Sequence, residues 1–176
     1  MAIHTHDPDA QELVGLPATP ARKATHKGLR ASLVALEAFT AATAIWGGAF
    51  VVPTIPQEWL HQGLIAPFSD TTIPAIALGV LCGGSALAAI ATVLTRPRLG
   101  ALVSMVSGGL MVGFELVEIL VVGFTPVMYP TQFPAWLQPL YILIGSAVAL
   151  LGARLWKAET GSYHINLWVL SRAAHE

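Results

Sequence analysis

Four long apolar runs dominate this chain and constrain its fold more than any other feature. They cover about residues 31–52, 73–94, 99–124 and 137–156. A helix of ~20 residues, rising ~1.5 Å per residue, spans the ~30 Å hydrocarbon layer of a bilayer. Only 11% of the 176 residues are charged, whereas a soluble domain has about 25%. The pattern predicts an all-α, polytopic integral membrane protein that folds as an antiparallel bundle of four transmembrane helices.

The positions of lysine and arginine predict how these helices are oriented. Of the nine basic residues, four precede the first run, two lie between the second and third runs, and three follow from Arg154 onward. Residues 53–72 and 125–136, which join the other runs, contain none. Cytoplasmic loops carry the excess of Lys and Arg in membrane proteins. We therefore expect both termini to be cytoplasmic, and the bacterial cytoplasmic membrane to be the location.

The polar ends of the chain divide it into three parts. Residues 1–28 are broken by three prolines and are expected to form a disordered cytoplasmic tail. Residues 29–157 form the predicted transmembrane domain, in which the short link at 95–100 makes the second and third helices antiparallel neighbours. Residues 158–176 form a second cytoplasmic tail, whose apolar segment around Trp168 is suited to the membrane interface.

Small residues recur at helical spacing in the predicted spans. Gly79 and Gly83 are four residues apart, as are Gly109 and Gly113. Helices in lipid associate through close packing of such residues, because lipid supplies little hydrophobic force between them. The spacing favours contacts within one bundle and leaves open a homodimer or a membrane-protein partner. The lipid bilayer is the partner that the apolar runs themselves require.

The third run is the only one that carries two acidic side chains, Glu115 and Glu118. Their spacing puts both on one helix face. By helix rise they lie ~9–13 Å from the outer end of the run, while Trp46 and Tyr141 lie ~10 and ~6 Å deep in theirs. Because a carboxyl group in a bilayer needs a partner, these four side chains are candidates for a ligand or proton site, covered by His61 of the first outer loop. The favoured interpretation is a structural, protonated or hydrogen-bonded pair that locks the bundle together.

Glu37 is the one acidic residue of the first run. It lies only ~9 Å from the expected inner end, where its side chain can reach the membrane interface or a basic residue such as Arg30. We interpret Glu37 as an anchor at the inner membrane surface rather than as a site.

Motifs for catalysis, metals or cofactors do not occur in the sequence. There is no HExxH, GxSxG or phosphate-binding loop, and the single Cys82 excludes a CxxC redox pair. The histidine and aspartate residues near the N-terminus lie in a tail that lacks groups to orient them as ligands, so we predict no metal and no cofactor. No basic, aromatic-rich surface indicates nucleic-acid binding. These absences disfavour an enzyme.

Three functions fit these observations. The sequence favours a non-enzymatic accessory or interaction subunit, because small-residue helix faces are plentiful and catalytic motifs are absent. The first alternative is a proton-linked carrier or ligand-binding protein that uses Glu115 and Glu118 from the outer side. The second is a lipid-modifying membrane enzyme with Glu115, Glu118 and His61 as acid or base groups. Such an enzyme would need a lipid-sized groove leading to these residues.

Overall fold

The computed structural model describes residues 20–55, 70–122 and 136–163. All regular elements in these ranges are helical, and four of the helices are long and apolar enough to cross a membrane. They are α1 (Pro20–Trp46), α2 (Thr72–Thr95), α3 (Pro97–Val122) and α4 (Leu137–Thr160). The described part of the chain is therefore all-helical and suited to a membrane location, as the apolar runs predict.

A π-helical segment directly continues α1, and another lies within α2; both are counted with their helices below. α1 continues beyond Trp46 as a π-helix at Gly47–Val51 and a 3-10 turn at Val52–Thr54. In α2 the π-helix covers Ala77–Cys82. A π turn closes its hydrogen bonds over one residue more than an α turn, so each helix is locally wider there. The two π segments pack against each other.

Local sequence explains where the helices start and stop. The Asp70 carboxylate accepts a hydrogen bond from the Thr72 N–H at 2.8 Å, in the first turn of α2. Arg96 is the single residue between α2 and α3, and Pro97 can begin α3 because its missing N–H is not needed in a first turn. Gly161 ends α4 with a left-handed conformation, φ 77°, in which its N–H binds the Lys157 carbonyl at 2.8 Å.

The observed helices contain most of each predicted span, and α1 is longer than predicted. It begins at Pro20, so residues 20–28, which were expected in the disordered tail, are helical. The Ala, Arg and Lys residues of this stretch have high helix propensity. The remaining tail segments, 1–19 and 164–176, lie outside the described residues, and the domain division at residue 29 stays a prediction.

The four helices form a closed ring of contacts. α1 packs against α2 and α4, and α3 packs against the same two helices. Two apolar clusters fill the interior. The first contains Leu33, Ala101, Ile144, Val148, Leu155 and Trp156, and the second contains Ala44, Cys82 and Met111.

Glycines allow helix backbones to touch at two crossings. A Cβ atom at Gly108 of α3 would collide with the Gly145 carbonyl oxygen of α4 and would lie 2.7 Å from the Ala149 nitrogen. A Cβ atom at Gly48 of α1 would lie 2.7 Å from the Gly79 nitrogen of α2. The predicted packing through small residues is therefore confirmed at these crossings, because only a residue without a side chain fits.

The outward surface of the bundle is apolar and also contains glycine. Large exposed side chains include Leu94, Val106 and Leu143, as expected for helices that face lipid. At Gly109 and Gly113 an added Cβ atom would meet no atom of the described residues within 4 Å. These two glycines are therefore not used for packing inside the described bundle.

We predict that Gly108→Ala destabilises the bundle, whereas Gly109→Ala, one residue further along α3, does not. The added methyl group at 108 forces α3 away from α4, and overpacking of this kind costs about 1–3 kcal/mol. At 109 the methyl group enters open space, and Ala is favoured over Gly in a helix by about 1 kcal/mol. Thermal unfolding of the two purified variants in detergent measures the difference. Equal stability would contradict the close crossing of α3 and α4.

Candidate functional site

Glu115 projects from α3 into the bundle, where its side chain is only 4% exposed. Glu118, one turn further along α3, is half-buried. Its carboxylate oxygen Oε1 accepts a hydrogen bond from Nε2 of Gln138 at 3.0 Å. Gln138 lies in the first turn of α4 and is 2% exposed. We call these three residues the Glu115 centre, which links α3 to α4.

The groups around Glu115 interact with it electrostatically. The Glu118 carboxyl lies near enough for its charge to be felt at Glu115, and the uncharged Cys82 thiol of α2 lies near enough to feel the charge of Glu115. Two carboxylates in a low-dielectric interior repel each other, and a proton on either one removes that repulsion. The centre therefore has chemistry suited to taking up a proton or another positive charge.

Tyr141 lies in the same part of the bundle. It packs against the cluster of Ala44, Cys82 and Met111, and its ring stacks on Phe39 of α1 with 6.5 Å between centroids. Tyr141 therefore packs against the cluster that contains Met111, which lies one turn before Glu115 on α3.

Trp46 is not brought to this site. Its side chain is 62% exposed and packs against Phe50, with 4.6 Å between ring centroids. Trp46 follows the buried Ala44 by two residues, which is a rotation of about 200° around the helix, so it faces outward at the expected depth. The expectation that it joins the carboxyl groups is corrected here. His61 lies outside the described residues.

The sequence interpretation of Glu37 is wrong. Glu37 is 0% exposed, and its Oε2 accepts a hydrogen bond from Ser107 Oγ of α3 at 2.9 Å. Ser104, also 0% exposed, lies close enough to interact with the same carboxyl group. Arg30, the expected partner, instead donates a hydrogen bond to Glu159 Oε1 of α4 at 2.7 Å.

We call Glu37, Ser104 and Ser107 the Glu37 centre. Sequence reasoning missed it, although a signal was present. The buried residues of α1 recur at helical spacing and include Leu33, Glu37, Thr40 and Ala44, so a helical projection would have placed Glu37 on the inward face.

The two centres lie on one seam of α3. Ser104, Ser107, Met111 and Glu115 recur every three or four residues and are all buried. Glu115 follows Ser107 by eight positions, which corresponds to ~12 Å along the helix. The apolar cluster around Met111 lies between them. The interior of the bundle therefore holds two separate carboxyl centres rather than one.

Two other features bear on chemistry. The described residues contain no group of three or more His, Cys, Asp or Glu residues placed to hold a metal ion. An open groove of about 480 Å³ runs along α2 and is lined by Ile73, Ile76, Ala77, Val80, Leu81 and Ser85. Neither Glu115 nor Glu118 lines this groove, so it is not the route to these residues that a lipid-modifying enzyme would need.

Within the described residues, fold and site together define an all-helical protein with four helices long and apolar enough to cross a membrane and with carboxyl groups in its interior. No known protein family, curated protein or solved structure matches this chain. The functional conclusion therefore depends on the geometry of the two centres.

Proposed function

We propose that this protein is a proton-linked membrane carrier in which Glu115 and Glu118 take up and release protons. The observation that carries the proposal is the Glu115 centre. It places the Glu115 carboxyl, which is 4% exposed, beside the Glu118 carboxyl. Gln138 of α4 donates a hydrogen bond to Glu118. Intramembrane carboxyl groups in such positions mark ion and proton pathways.

The charge of the site supports this function. No basic side chain of the described residues forms an ion pair with Glu115. A carboxylate without a positive partner is costly in a membrane interior. The negative charge of Glu115 is therefore balanced by a proton or a cationic ligand, which is the exchange that a proton-linked carrier requires.

The proposed orientation is an antiparallel bundle with both termini in the cytoplasm, in a bacterial cytoplasmic membrane. The distribution of Lys and Arg supports it. The ion pair between Arg30 of α1 and Glu159 at the end of α4 supports the antiparallel order, since it puts the N-terminal half of α1 and the C-terminal end of α4 at the same end of the bundle. In this orientation the Glu115 centre is nearer the outer side.

The orientation predicts which side of the membrane a new cysteine faces. Asp70→Cys should react with a membrane-impermeant maleimide added to intact cells, and Gly28→Cys should react only after the membrane is opened. Both positions are exposed, while the native Cys82 is 1% exposed and gives little background. Labelling of Gly28→Cys in intact cells would contradict the cytoplasmic N-terminal end.

The function predicts a proton flux that depends on the carboxyl pair. The purified protein is placed in liposomes that contain a pH-sensitive dye, with potassium and valinomycin to prevent charge build-up. After the outside is acidified, wild-type liposomes should acidify faster than empty ones. The double variant Glu115→Gln/Glu118→Gln should return the rate to that of empty liposomes, because an amide keeps the shape of the side chain but cannot accept the proton.

Asp70→Asn is the matched control for this flux. It neutralises an exposed carboxylate outside the bundle interior, and its flux should equal that of the wild type. A wild-type rate equal to that of empty liposomes excludes proton movement without a second substrate. A wild-type flux that the double variant leaves unchanged refutes the proposed function. In that case the Glu115 centre is a structural pair.

A second candidate is the non-enzymatic accessory subunit that the sequence favours. The supporting observation is the open outward position of Gly109 and Gly113 on α3. Two glycines four residues apart let the backbone of another transmembrane helix approach closely. The face is suited to a membrane-protein partner or a second copy of this chain.

This candidate predicts that Gly109→Ile separates a complex without unfolding the protein. Wild-type protein extracted gently from its own membrane should migrate on a native gel as a complex, and the variant as a monomer. Gly84→Ile, at an equally open glycine of α2, should leave the complex intact. A monomeric wild type under the same extraction counts against the accessory role.

A further inference from the structure

We propose that the Glu37 centre is a binding site for a dehydrated sodium ion, held between α1 and α3 and independent of the Glu115 centre. The site follows from oxygen atoms that the packing brings together in the interior of the bundle without giving them partners. It goes beyond the proposed function, which uses other residues.

The unpartnered oxygens are the first observation. Glu37 Oε1, Ser104 Oγ and Thr40 Oγ1 are buried and have no hydrogen-bond partner in the described part of the protein. Their residues are 0%, 0% and 3% exposed, respectively. Buried polar atoms almost always have a partner. Ser104 of α3 lies beside the Glu37 carboxyl, and Thr40 follows Glu37 by one turn on the buried face of α1. These positions point to a shared ligand.

Charge is the second observation. Glu37 carries the one carboxyl group of this centre, and no basic side chain of the described residues forms an ion pair with it. Arg30, two turns away on α1, is engaged with Glu159. A single negative charge in a low-dielectric interior is balanced by a single positive charge. A divalent ion would leave an excess charge there.

The chemistry of the available atoms selects the ion. The donors are carboxylate and hydroxyl oxygens, which suit hard cations. A proton on Glu37 bridges only two oxygen atoms, for example Oε1 and Ser104 Oγ, and leaves Thr40 Oγ1 without a partner. Sodium accepts several oxygen ligands at once. Ser107 Oγ, which donates to Glu37 Oε2 at 2.9 Å and lies 3.4 Å from the Ser85 hydroxyl that can donate to it, still has one lone pair to contribute.

The test is a thermal unfolding titration of the full chain in detergent, with sodium chloride compared with choline chloride at equal ionic strength. The probe is sodium alone. Sodium should raise the unfolding temperature of the wild type above its value in choline. Glu37→Gln should abolish this difference, because the amide removes the negative charge. Ser104→Ala should shift the half-effective sodium concentration upward by roughly tenfold.

Glu115→Gln is the matched control, because it removes a carboxyl group of the other centre on the same helix seam. Its response to sodium should equal that of the wild type, so the result separates this site from the proposed proton function. If Glu37→Gln fails to fold, the shift of the half-effective sodium concentration in Ser104→Ala tests the site instead. The proposal is overturned if the wild type unfolds at the same temperature in sodium and in choline. It is also overturned if Glu37→Gln keeps the sodium-dependent rise in unfolding temperature, or if Glu115→Gln loses it. Glu37 then holds only its own proton.

Discussion

A carboxyl group inside a membrane has no water to solvate it, so neighbouring helices must supply its hydrogen bonds. In this bundle α3 is involved each time. Ser107 of α3 donates to Glu37 of α1, and Glu118 of α3 accepts from Gln138 of α4. Each bond joins two different helices. The position of α3 therefore determines whether the acidic groups of the interior are satisfied.

Steric and polar requirements meet on one turn of α3. Gly108 brings the backbone of α3 against Gly145 of α4, while the preceding residue, Ser107, reaches across the interior to Glu37. A serine side chain is short, so this hydrogen bond forms only when α1 and α3 are close. The same turn of α3 therefore serves two neighbours: Gly108 packs against α4, and Ser107 supplies the donor that the Glu37 carboxyl of α1 needs in the interior.

The four long apolar helices were predictable, because the bilayer fixes the length that a spanning helix needs. The burial of Glu115 was also predictable, since a charge at that depth must turn inward. Trp46 and Glu37 were misplaced because depth gives the position along a helix and says nothing about the direction in which a side chain points. The pairing of Arg30 with Glu159 depends on tertiary contacts that no local pattern contains.

The facing π segments of α1 and α2 also affect how related chains should be aligned. In an α-helix each residue adds a rotation of about 100°, so one inserted residue normally turns everything beyond it onto a different face. A π turn absorbs one residue without that rotation. Two homologues whose lengths differ by one residue within 47–51 or 77–82 can therefore share the same buried faces. A one-residue alignment gap placed in these segments does not change which side chains face the interior.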